Sequence, residues 1–489
     1  MTSVTNFIEK NENWLQIALL VIAAIVLCVQ ITSPFVDYDE ATYAKVVVDT
    51  IKSGDVSSFT LSGHHWFEKP PLYLWLAIVS VKIFGAEEFA FRLPGIFASL
   101  LCLWLVYLIV KELTRSSVSA TFAFLLLLSS PFFYYFGREM RLDSGVLMGM
   151  LAALFFCIKG WYQERYLFWV LPAIAMGFLF KSFVVVLIIP IILIYSFCYG
   201  QWNWLQSRYF WIGLPISLIL LIPWHLAESL RFGWFFWDDY LVHQVYQRSV
   251  STLTGLNNYY DYVNYLWTFS RFWLIGSLSI LVFFLILLLS RRLRSQIPWK
   301  HLAAPLCATF FILVFFTLIR THLAPYMLPA LPFFAMFVAL LSGHAFLIFK
   351  PYAYLIPVSI IALVSLGIVD IQSPGFVKII PYNYEEAHIG QTYKTSQISA
   401  SAPLYSFDWS VFETMNYYGD TKIQFIDPNV QTAKDLRVPF YMVTTVRDAR
   451  ILFYDSKEIL LNKYSFLTVL YKGDSLVLLY SDRALDSVR

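Results

Sequence analysis

The chain predicts an all-α polytopic membrane domain of about 11 to 13 transmembrane helices with juxtamembrane helices, followed by a small carboxy-terminal soluble α/β domain. Composition supports the first part: of 489 residues, 59% are hydrophobic, 19% aromatic and only 14% charged. Patterning supports it too, because apolar stretches of 17 to 25 residues recur, each long enough to cross a bilayer core. From about residue 375 the pattern changes to short alternating strands separated by polar turns. In "FLTVLYKGDSLVLLYSD" (466–482) the Lys-Gly-Asp-Ser centre is a hairpin signal. These patterns divide the chain into a transmembrane domain, 1–370, with juxtamembrane loops at 33–69 and 225–270, and a soluble domain, 371–489.

In order, the spans fall near 14–32, 91–111, 117–136, 142–159, 165–181, 182–199, 208–224, 271–290, 301–319, 323–342 and 351–369. The piece "PPLYLWLAIVSVKIF" at 70–84 is short and opens with two prolines, so it either crosses or dips and returns. Lys10, Lys111, Arg115, Lys159, Arg165, Arg208, Arg291, Arg292, Arg294, Lys300 and Lys350 share one face if it does not cross, which gives eleven spans with the amino terminus inside. A thirteen-span variant keeps the same sidedness. The first apolar run, Trp14 to Ile31, has no small-x-small cleavage site and reads as a retained signal anchor. All five cysteines lie in apolar runs without pairing or metal-ligand spacing, and the net charge of +3 is too small and dispersed for a nucleic-acid face.

The chemically rich segments gather on the other, outer face. "FVDYDEATYAKVVVDTIKSGD" (35–55) carries Asp37, Asp39 and Glu40 before an amphipathic stretch in which Tyr43, Val46, Val47, Thr50 and Ile51 recur at helical spacing. Taken alone, Asp39 reads as a helix N-cap, with Glu40 favoured by the helix dipole. In "HHWFEKPP" (64–71), Glu68 and Lys69 suit either a membrane-interface anchor beside Trp66 or a metal and an anionic head group. Arg138, Glu139, Arg141 and Asp143 sit between two spans, and Lys181 interrupts a long apolar stretch as either a turn residue or a functional cation. The loop 224–249 adds His225, Asp238, Asp239, His243 and Arg248, and "RTHLAPYMLPALP" (320–332) sets Tyr326 at the head of a proline-rich helix.

Taken together, the acid pair before "ATYA", "FEKPPLYLW", "FRLPGIFASLL", "SSPFFYYFGREMRLDSGVLM", "GFLFKSFVVV", "IPWHL" and "HLAPYMLPALPF" strongly resemble one group. It is the C-type membrane glycosyltransferases, glycosyltransferase family 39-like, which include the undecaprenyl-phosphate aminoarabinose transferases and the protein O-mannosyltransferases. The resemblance covers roughly residues 10 to 345. It implies the C-type glycosyltransferase fold, and an inner-membrane enzyme that moves a sugar from a polyprenyl-phosphate donor to a lipid A, glycan or protein acceptor on the periplasmic face.

Carried over residue by residue, the resemblance makes Asp39, supported by Glu40, the catalytic acid pair, with Asp39 the base toward the acceptor hydroxyl. Glu68 and His243 correspond to ligands of a divalent metal (Zn, Mg or Mn). Lys69 and Lys181 correspond to carrier-phosphate contacts, and Arg138, Arg141 or Arg248 is a candidate replacement for the contact that Thr42 does not supply. Tyr43, Trp66, Arg92, Asp143 and Tyr326 correspond to the sugar and acceptor pocket. The chain departs from the aminoarabinose transferases at Thr42, where they carry arginine, and at Trp66, where they carry tyrosine.

Two competing readings stand beside this one. A lipid or solute transporter or flippase also uses buried charges and broken helices, but this chain lacks internal repeat symmetry and gathers its charges on one face. A membrane scaffold would not require Asp39, Glu68 and Lys69 together.

Overall fold

The structure, a computed structural model, describes residues 11–35, 38–251, 260–287, 299–348, 362, 365–370, 379–396, 402–406, 412–421, 423–425, 439–445, 467–472 and 476–481. Lys10, Asp37, Arg291, Arg292, Arg294, Lys350, most of the expected span at 351–369 and the centre of the 466–482 hairpin lie outside the described residues. The chain forms two compact units. One comprises Met1–Ile31, Phe67–Gly85 and Phe89–Phe376; the other comprises Thr32–Trp66, Ala86–Glu88 and Val377–Arg489.

The first unit is helical. Among the described residues, six helices are long and apolar enough to cross a membrane: Glu88–Thr114, Asp143–Gly160, Glu164–Tyr199, Arg208–Phe232, Trp299–Leu318 and Ala324–Ser342. A bent pair makes a seventh. The chain is therefore a multi-span membrane protein. Ala324–Ser342 is 83% buried and Arg208–Phe232 only 22%, so the former runs through the bundle centre and the latter along its rim.

One expected span is bent within itself, and two further helix breaks fall at expected span boundaries, 181/182 and 270/271. The stretch 117–136 is two helices, Ser117–Leu128 and Pro131–Arg138, bent by 70°. Ser130 caps the second by accepting from the Phe133 amide, and Pro131 at the first turn needs no amide partner. In the 36-residue Glu164–Tyr199, far longer than one crossing needs, the break falls at Lys181 (φ −148°) and Ser182 (φ 61°, ψ −137°). The helix Asp261–Leu287 is interrupted at Ser270, and Asp370 accepts from the Phe272 and Trp273 amides just beyond, at 3.1 and 2.8 Å. Leu72–Phe84 has only 13 residues, about 20 Å of helix, short of a full crossing.

The helices Asp143–Gly160 and Val170–Lys181 pack closely through small residues. A Cβ on Gly149 would lie 2.6 Å from the Gly177 Cα, and one on Gly145 would lie 2.1 Å from the Phe180 ring. Without a hydrophobic drive between helices in lipid, such backbone approach is what holds them together.

The second unit holds a five-stranded sheet in the order β2-β1-β3-β5-β4, from Leu404–Ser406 (β1), Gln424–Phe425 (β2), Phe440–Thr445 (β3), Leu467–Lys472 (β4) and Leu476–Ser481 (β5). β1 runs parallel to β2 and β3; β5 is antiparallel to β3 and β4, the pairing that the expected hairpin requires. Ile389 and Met415, from the helices Ile379–Ser396 and Phe412–Tyr418, share a core with Leu404, Tyr441, Val443, Leu476 and Leu478 of the sheet.

The sequence reading places 33–66 with the membrane domain, whereas the structure groups it with this unit. The reason is a set of long-range ties. The Phe35 amide donates to the Tyr418 hydroxyl (3.1 Å), and Lys45 and Lys52 both reach Asp420 at 3.1 and 2.8 Å. The amphipathic stretch is the helix Tyr38–Ser53, with Tyr43, Val46, Val47 and Thr50 buried.

Replacing Gly149 with Val should destabilise the fold by about 1–3 kcal/mol, because neither facing backbone can retreat. Thermal unfolding of the solubilised full chain measures this; an unchanged midpoint would mean the two helices are not in close contact.

Candidate active site

A cavity of about 200 Å³ in the first unit is lined by Glu68, Lys69, Lys181, Tyr240, Gln244, Arg248 and Tyr326 on its polar side and by Phe183, Val184, Leu187, Phe315, Phe316 and Ile319 on its apolar side, with Ser182, Val245 and Ser249 completing the wall. Three cations therefore face one space beside an aliphatic and aromatic wall.

Lys181 reaches this wall because its helix ends there. Ser182 takes a positive φ of 61°, which side chains other than glycine rarely adopt, so the chain turns sharply at the cation. The Lys181 Nζ donates to Asp143 Oδ1 at 2.6 Å and lies 5.5 Å from the centre of the Tyr326 ring. Asp143 opens its helix, where the dipole favours a carboxylate. Tyr326 is fixed in turn against Phe316, with ring centres 4.9 Å apart.

The opposite wall comes from "FEKPP" and the segment after the helix Arg208–Phe232. Buried Phe67 packs on Phe232 and Phe236 (4.9 and 5.5 Å) and so fixes the next two residues. Lys69, 7% exposed, donates to Gln244 Oε1 at 3.0 Å. The Glu68 carboxylate lies 3.6 Å from Lys69 and 3.8 Å from Arg248. Residues Asp238–Gln247 form a π-helix, a rare conformation that is frequent at functional sites, and it brings Tyr240 and Gln244 to the cavity. Asp239 on the same segment has its carboxyl pushed above the ordinary range by burial and by the Glu68 charge.

Lys69, Lys181, Arg248, Glu68 and Tyr326 of the sequence-predicted set thus share one cavity, with Asp143 bonded to Lys181. Others are elsewhere in the same unit. Arg138 donates to the Val29 carbonyl and to the Tyr134 hydroxyl. Arg141 is buried on Glu139 (3.0 Å) and over the Phe136 ring, and burial pulls its guanidinium down to about 10. Arg92, 1% exposed, donates to the Ile31 carbonyl at 2.8 Å. None of these three arginines lines the cavity.

Asp39, Glu40, Tyr43 and Trp66 belong to the second unit. There Asp39 is the second residue of its helix rather than a cap, and Glu40 is fully buried. Trp66 meets Tyr43 edge-on at 6.0 Å, and its buried indole N–H has no acceptor among the described residues.

The donor set does not fit a metal in this arrangement. Among the described residues no three of His, Cys, Asp and Glu converge. Glu68 is engaged by two cations, and His243 contacts Asp238 (3.4 Å) and Gln247 (2.8 Å). Sequence reasoning missed Tyr240, Gln244 and Ser182. The four-residue spacing of Tyr240, Gln244 and Arg248 is a legible signal for the first two, while the Ser182 conformation has none.

Three comparisons bear on the fold and on the resemblance. Residues 68–226 match the family described as "Dolichyl-phosphate-mannose-protein mannosyltransferase". Among curated proteins, the undecaprenyl phosphate-alpha-4-amino-4-deoxy-L-arabinose arabinosyl transferases of Pectobacterium atrosepticum and Aeromonas hydrophila are 28% and 29% identical, over 42% of this chain in each case. These matches span 38% and 39% of the relatives' own length. Among solved structures, ArnT from Cupriavidus metallidurans bound to undecaprenyl phosphate aligns with a TM-score of 0.70 at 16% identity, covering 97% of this chain and 99% of that one. The Archaeoglobus fulgidus oligosaccharyltransferase in the apo form aligns with a TM-score of 0.52 at 12% identity, covering 96% and 75%. The chain shares the fold of these two solved structures, and the family and curated matches bear out the resemblance read from the sequence motifs.

Elemental analysis after dialysis of the full chain against zinc, magnesium or manganese should find no stoichiometric metal dependent on Glu68 and His243. Stoichiometric metal lost in both Glu68→Gln and His243→Ala would show that the two side chains converge on an ion after all.

Proposed function

We propose that this protein is an integral-membrane glycosyltransferase that moves a sugar from a polyprenyl-phosphate donor to an envelope acceptor, with inversion at the anomeric carbon. The observation that carries this reading is the cavity in which Lys69, Lys181 and Arg248 face an apolar wall of Phe183, Val184, Leu187, Phe315, Phe316 and Ile319. A phosphate joined to a polyprenyl chain has the matching halves: an anion for the cations, hydrocarbon for the wall. The relatives' names support the donor class, since they are arabinosyl transferases that act on an undecaprenyl phosphate sugar.

The chemistry follows from charge. As the bond from the anomeric carbon to phosphate stretches, positive charge grows on the sugar and negative charge on the phosphate. Lys69, Lys181 and Arg248 stabilise that growing negative charge from fixed positions, which is worth more beside an apolar wall than in water. Gln244 orients Lys69, and Asp143 orients Lys181. The acceptor hydroxyl needs a base. That role falls to Asp39 with Glu40 beside it, on the strength of the acid pair followed by "FEKPP". The resemblance assigns Tyr43, Trp66 and Tyr326 to the sugar. A single displacement with one base inverts the carbon. The positive-inside pattern sets this chemistry on the periplasmic face of the inner membrane, with lipid A, another glycan or a protein as acceptor.

Two variants test the reading. Asp39→Asn should lower transfer by about 10²–10⁴-fold while leaving undecaprenyl phosphate binding intact; Lys69→Met should weaken that binding. Transfer by Asp39→Asn at the wild-type rate would remove Asp39 from the mechanism, and undiminished carrier binding by Lys69→Met would remove the cavity from it.

A further inference from the structure

We infer that Glu68 and Asp143 tune the cavity to a singly charged phosphodiester and thereby promote release of the doubly charged phosphate that transfer leaves behind. The inference rests on the proposed function and goes beyond it, because cations alone would explain binding but not departure.

Lys69, Lys181 and Arg248 face the cavity with three formal positive charges. The structure does not leave those charges uncompensated. Glu68 lies within 4 Å of two of them, at 3.6 Å from Lys69 and 3.8 Å from Arg248. Asp143 takes a hydrogen bond of 2.6 Å from the third. Glu68 itself lines the cavity, so any anion seated against Lys69 and Arg248 also meets its carboxylate.

The reaction changes the charge of the group in that cavity. In the donor the phosphate is a diester with one negative charge. During transfer the acceptor oxygen bonds to the anomeric carbon, the bond from that carbon to the phosphate oxygen breaks with its electron pair left on oxygen, and the acceptor proton goes to the base. The product is therefore a phosphate monoester carrying up to two negative charges near neutral pH. An acid-free site with three cations would hold this product much more tightly than the donor and stall after one turnover. A carboxylate on the cavity wall repels the second charge more than it repels the first alone, so it narrows that gap. Glu68 has a further consequence: it keeps the cations paired when no phosphate is present, which lowers the cost of holding them beside apolar residues.

The test compares a monoester with a diester of one short isoprenoid, farnesyl phosphate and methyl farnesyl phosphate, binding to the full chain by isothermal titration. In Glu68→Gln the affinity for the monoester should rise by about tenfold and that for the diester by no more than about threefold. Asp143→Asn should shift the ratio in the same direction, which gives a second reading if one variant folds poorly. An unchanged ratio in a folded variant would overturn the charge-tuning role while leaving the phosphate site in place. Failure of the wild type to bind either ester would instead sink the proposed function itself.

Discussion

The ion pair between Lys181 and Asp143 is the interaction on which the membrane unit's site depends. A lysine in an apolar stretch is costly unless a partner or a cavity receives it. Here the receiving carboxylate stands at the first residue of its helix, where the dipole already favours negative charge. For the two groups to meet at 2.6 Å, one helix must end at Lys181 and the other must begin at Asp143 within reach. The positive φ at Ser182 ends the first helix, and the glycine contacts at 145, 149 and 177 let the two helices close up. Break, glycines and ion pair are one arrangement rather than three features. Removing either partner would strand a buried charge, at about 3–5 kcal/mol.

The second wall is built on a different principle. Phe67 is an apolar anchor, and the polar residues that follow it in the chain, Glu68 and Lys69, are placed by its packing on Phe232 and Phe236. The π-helix then adds Gln244, which fixes Lys69 by a hydrogen bond without neutralising it. Each of the three cations therefore has a carboxylate within 4 Å, and Lys69 is held by a neutral amide as well. In the proposed mechanism that mixture lets the site attract an anion and still release one.

Much of this was legible in the sequence, for identifiable reasons. Span positions follow from hydropathy, and the 466–482 hairpin follows from alternation around a turn. Lys181 stands out because it interrupts an apolar stretch, and Lys69, Arg248 and Tyr326 are picked out by the motifs that carry the resemblance. Helix breaks were less legible. Pro131 signals the 70° bend in 117–138 and Lys181 marks the end of its span, but the positive φ of Ser182 has no local signal, and Asp370, which receives the amides just beyond Ser270, lies far along the chain. The same limit explains Arg138, Arg141 and Arg92. Composition cannot tell a cation aimed at a ligand from one satisfied by a carbonyl, a carboxylate or a ring. The grouping of 32–66 with the carboxy-terminal region was hidden as well, since Lys45, Lys52 and Asp420 lie more than 360 residues apart in sequence.

The measurement that bears most directly on the account is an experimental structure of the full chain in lipid nanodiscs with undecaprenyl phosphate bound. The account requires phosphate oxygens about 2.7–3.0 Å from nitrogens of Lys69, Lys181 or Arg248, with the lipid chain along Phe183, Val184, Leu187 and Phe316. A phosphate seated instead on Arg138 and Arg141, with this cavity free of lipid, would contradict it.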